Sequence, residues 1–183
     1  MSLTFIRTAD QLGVKSSVTA YYASAERPGP IDVAAEAERL LKVWENGFEP
    51  APAVPLKLLI SPPSDGWIAI AFPFDMTFDL PLTAWLASQL RTETVAAFTW
   101  GDGYGLVAFD GSGVTYGEGH IRDERSDMHL GQVLKRWGVP FDGDEDRPPS
   151  LDQDDPRHAG WLEVTVPPRS WPPLPSRGLE DCF

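Results

Sequence analysis

Two glycine turns, Gly101-Asp102-Gly103 and Gly111-Ser112-Gly113, constrain this chain more than any other feature. Each permits positive φ, and together they separate three runs rich in β-forming residues: Thr94 to Trp100, Tyr104 to Phe109 and Val114 to Tyr116. Gaps this short close antiparallel hairpins, so the three runs predict a meander.

The stretch just upstream extends the pattern. Trp67 to Phe72 is apolar on both faces, follows an Asp65-Gly66 turn and stops at Pro73, which fits a buried strand. Pro81 suits a first helical turn, with Asp79 available as its cap. Leu82, Trp85, Leu86 and Leu90 then recur at helical spacing, leaving Ser88, Gln89 and Arg91 outside. Trp85 and Leu86 are expected to pack under the sheet with Phe98 or Phe109.

The remaining segments are read against that centre. Leu3 to Ile6 reads as an opening strand and Val18 to Tyr22 as a second one. Pro28-Gly29-Pro30 breaks the chain. Asp32 then caps a helix with Val33, Ala37, Leu40, Leu41 and Trp44 on one stripe and Gly47 past its end. A stiff connector, Glu49 to Pro55, leads to a strand at Leu56 to Ile60. After the meander, Ser126 or Asp127 caps a helix carrying Leu130, Val133, Leu134 and Trp137, which Gly138 and Pro140 stop. Trp161 to Val166 reads as the last strand, because Leu162, Val164 and Val166 alternate with Glu163 and Thr165.

The expected fold class is therefore α+β: a single domain over residues 1–183 with a mainly antiparallel sheet of about five or six strands. About three helices should pack mostly on one face. Residues 142–156 are expected to form an acidic surface loop, and residues 167–183 a proline-rich tail with polyproline II geometry.

Composition bounds the function. Hydrophobic residues make up 42% of the 183 and include seven tryptophans, enough to build a core and exclude global disorder. A formal net charge of −12 argues against direct binding to a phosphate backbone; it is compatible with a basic protein partner, and solvation of an acidic surface is the plainer account of it. Cys182 is the sole cysteine, so no intrachain disulfide forms; with no signal-peptide pattern at Met1 to Gln11 and no run as long as a membrane span, a cytoplasmic location is expected.

Candidate chemistry is sparse. Glu118, His120, Asp123, Glu124, Asp127 and His129 form the densest set of potential metal ligands, and two histidines with carboxylates can hold a metal that acidifies a bound water. They lack a zinc-site spacing, and a charged strand exit followed by a helix cap accounts for each of them. Asp142-Gly143-Asp144-Glu145-Asp146 has the alternate carboxylates of a calcium loop, yet the required glycine falls on Arg147 and the closing glutamate on Gln153. The glycine clusters are hairpin turns, not strand-to-helix phosphate loops. No G-x-S-x-G elbow occurs, and Cys182 is poorly placed for a nucleophile. Pro172-Pro173-Leu174-Pro175 satisfies P-x-x-P, though Trp171 and these prolines are expected to pack back on the chain's own apolar surface.

No catalytic residue, metal or cofactor is assigned. Between Asp142 and Asp155 seven carboxylates meet Arg147 alone, and Asp142, Asp144, Glu145 and Asp146 are the expected partner-binding residues. In size, acidity and lack of a catalytic motif the chain resembles the immunity proteins that neutralise bacterial toxins. That resemblance implies a non-enzymatic inhibitor acting on a protein partner. Two alternatives are a small metal-assisted hydrolase using His120 and His129, and an acidic mimic of nucleic acid.

Overall fold

The computed structural model describes residues 2–26, 28, 55–72, 80–100, 103–121, 130–139 and 159–167. In chain order these form β1 (Ser2–Ile6), α1 (Gln11–Ala23), β2 (Leu56–Ile60), β3 (Ile68–Ala71) and α2 (Leu80–Leu90). The meander β4 (Thr94–Trp100), β5 (Gly103–Asp110) and β6 (Gly113–Ile121) follows, then α3 (Leu130–Arg136) and β7 (Leu162–Val166). All seven strands join one antiparallel sheet in the order β6-β5-β4-β1-β3-β2-β7. The fold is α+β, as the patterning implies. The sheet exceeds the expected five or six strands, and β1 takes a central place in it, with β3 on one side and β4 on the other.

The alternation of side chains splits the core in two. On one face Ile6, Leu58, Ile60, Ile68, Ile70, Val164 and Val166 meet α1 and α2. On the other, Leu3, Phe5, Leu59, Val95, Leu106 and Ala108 meet Val133 and Leu134 of α3. Two helices therefore share one face and the third lies opposite. Leu86 is buried in the cluster that also holds Ile6, Ile68 and Ile70, rather than in one with Phe109, and Trp85 is half-buried with its ring 5.3 Å from that of Tyr21 in α1.

The strand expected at Val18 to Tyr22 is instead the second half of α1. Valine and tyrosine favour strands locally, but Val14, Val18, Tyr21 and Tyr22 recur at helical spacing and all are buried. The helix is also started firmly. The Asp10 carboxylate accepts the Gly13 N–H at 2.9 Å, and the Gln11 amide donates to the carbonyls of Ile60 and Gly160, at 3.0 Å each. Packing and capping override propensity here.

The β2–β3 connection shows how local chemistry sets a hairpin. Asp65 (φ 49°) and Gly66 (φ 80°) form the two-residue tip, and Ser64 and Trp67 exchange backbone bonds of 2.8 and 2.9 Å across it. Pro62 and Pro63 lack N–H groups for a ladder. The Ser61 hydroxyl takes over, accepting from the Ala69 N–H at 2.8 Å and donating to the Pro62 carbonyl at 2.9 Å.

The helix expected from Asp32, the acidic loop at 142–156 and the tail beyond Pro167 lie outside the described residues.

Candidate functional site

Among the expected site residues, the described framework contains Glu118 and His120. Both belong to β6, where His120 is in register with Tyr104 and Glu118 with Leu106. Positions two apart share a face of a strand, so Tyr116, Glu118 and His120 fall on one side of the sheet. Tyr116 fixes which side: its ring lies 5.1 Å from that of Trp137, at the end of α3. His129, Asp123, Glu124 and Asp127 lie outside the described residues, as do Asp142, Asp144, Glu145 and Asp146. Among the described residues no three His, Cys, Asp or Glu side chains gather as a metal site would require.

The opposite face of the same corner has a property that reading the glycines as turns alone misses. Gly105 is in register with Gly119, while Gly103 and Gly117 lie two residues along on the same face. Four glycines therefore lie on one side of the β5–β6 ladder, where no side chain screens the backbone, and Gly105 among them is buried. The signal is present in the sequence as two matching tripeptides, Gly103-Tyr104-Gly105 and Gly117-Glu118-Gly119. Only the strand register shows that they coincide.

At the meander's second turn, Asp110 behaves as a fixed anion. Its Oδ1 accepts the Ser112 hydroxyl at 2.6 Å, the Ser112 N–H at 2.7 Å and the Gly113 N–H at 3.2 Å. The bonds from Ser112, its hydroxyl foremost, hold the carboxyl below its ordinary value of 3.8 against an opposing effect of desolvation, and the Gly113 N–H adds to them. This is turn chemistry, in which an aspartate closes the loop on its own backbone.

The cations of the framework are partly committed to the sheet itself. Arg7 pairs with Glu93 at 3.1 Å and lies 5.7 Å over the Trp67 ring, while Lys57 pairs with Glu163 at 3.1 Å across β2 and β7. Both pairs are open to water on the cation side, so each contributes at most about 1 kcal/mol.

Charge is uneven along the sequence, with seven carboxylates against Arg147 alone between Asp142 and Asp155.

No protein family, curated protein or solved structure matches this chain. No helix among the described residues is long and apolar enough to cross a membrane.

Proposed function

We propose that this chain is a non-enzymatic binding protein whose partner is a basic protein, acting in the cytoplasm in the manner of a toxin-neutralising immunity protein. The observation that carries this reading is the placement of charge. In a chain with a formal net charge of −12, seven carboxylates stand between Asp142 and Asp155 against Arg147 alone. Spreading those carboxylates over the framework would lower their mutual repulsion, so concentrating them has a cost that attraction to a complementary partner offsets. Asp142, Asp144, Glu145 and Asp146 are the residues proposed to meet that partner. Charge of this kind acts mainly on the rate of encounter and on partner choice, with affinity left to apolar contacts.

The second reading, a metal-assisted hydrolase, draws support from one relationship, the shared β6 face of Glu118 and His120. It needs His129 and a further carboxylate to join them. One experiment separates the two. The full-length protein is used to capture partners, and each isolated partner is titrated back at low and high salt while the metal content of the protein is measured. A basic partner whose association slows with salt supports binding. Stoichiometric zinc or manganese that disappears in His120→Ala would replace that reading with the hydrolase.

A further inference from the structure

We draw no further inference here: the strongest candidate, the outer edge of β6 where the sheet ends beside the glycine-paved corner, carries nothing because the described residues do not show what covers it.

Discussion

Thr4 and Thr83 stand 79 residues apart in the chain, and their hydroxyls share a 2.8 Å hydrogen bond inside the core. Thr4 belongs to β1 and Thr83 to α2; the Thr94 hydroxyl of β4 donates to the Thr83 carbonyl at 3.1 Å. All three threonines are fully buried. This polar contact seats α2 over the junction of β1 and β4, a position that apolar packing alone would leave free to slide.

That contact makes the first prediction. Thr83→Val keeps the shape but leaves the Thr4 hydroxyl without its partner, so it should cost about 1–3 kcal/mol. Thr4→Val combined with Thr83→Val removes both ends and should cost less than the two single changes summed. Urea denaturation of the four proteins in the cycle measures this. Strictly additive losses would mean that the two hydroxyls do not depend on each other.

Two helices end in the same way with different residues. After α2, the Arg91 N–H bonds the Ser88 carbonyl and the Thr92 N–H the Ala87 carbonyl; after α3, Gly138 and Val139 bond Lys135 and Leu134 likewise. The motif needs a left-handed residue, and both Arg91 (φ 50°) and Gly138 (φ 69°) supply one. A side chain at Gly138 would meet open space, so the penalty there is conformational alone. Gly138→Ala should therefore destabilise by about 1 kcal/mol, and Arg91→Gly should stabilise by up to about 1 kcal/mol. Opposite shifts in urea midpoint at constant slope are the expected result.

The start of α1 couples two residues. A Cβ at Gly13 would run into the Asp10 carboxylate that caps the helix. Alanine is worth about 1 kcal/mol over glycine inside a helix, and loss of a cap costs a similar amount. Gly13→Ala should thus be nearly neutral in the parent and stabilising by about 1 kcal/mol once Asp10→Ala has removed the cap. Equal effects in both backgrounds would separate the glycine from the cap.

The Asp110 turn sets a pH dependence. Its folded pKa lies below the ordinary 3.8, so the stability it adds is fully present above that value. The contribution is lost as pH falls through the folded pKa. An NMR titration of the Asp110 carboxyl should place it below 3.8, and Ser112→Ala, which removes the foremost donor, should move it upward. A titration unmoved by Ser112→Ala would assign the depression to the two backbone N–H groups.

The functional prediction concerns the acidic segment. Changing Asp142 and Asp144 to Asn together with Glu145→Gln and Asp146→Asn should slow association with a basic partner on the order of tenfold at low salt. The difference from the parent should shrink as salt screens the field, and the thermal midpoint should hold. Stopped-flow association at two ionic strengths reads both effects. Parent-like rates would leave these carboxylates with solvation alone as their role.

Elements whose signals are local are legible in the order of the amino acids. The meander follows from glycine turns a few residues long, and α2 and α3 from apolar stripes that one helix completes by itself. For the candidate residues, sequence supplies the excess of charge, while strand register supplies the common face of Glu118 and His120 and the alignment of Gly105 with Gly119. The amino-acid order by itself determined the hairpins, the alternating faces and the stopping points, because each depends on neighbours within a turn of chain. The tertiary structure alone decided that Val18 to Tyr22 is helical and that β1 lies at the centre of the sheet. In both cases the deciding contacts are long-range: burial of Tyr21 and Tyr22 beneath the sheet, and backbone pairing of Leu3 with Ala71 on one side and Ala97 on the other. Local propensity is worth tenths of a kcal/mol per residue, whereas burying one large side chain is worth about 1.5–3 kcal/mol, so distant partners prevail where the two disagree.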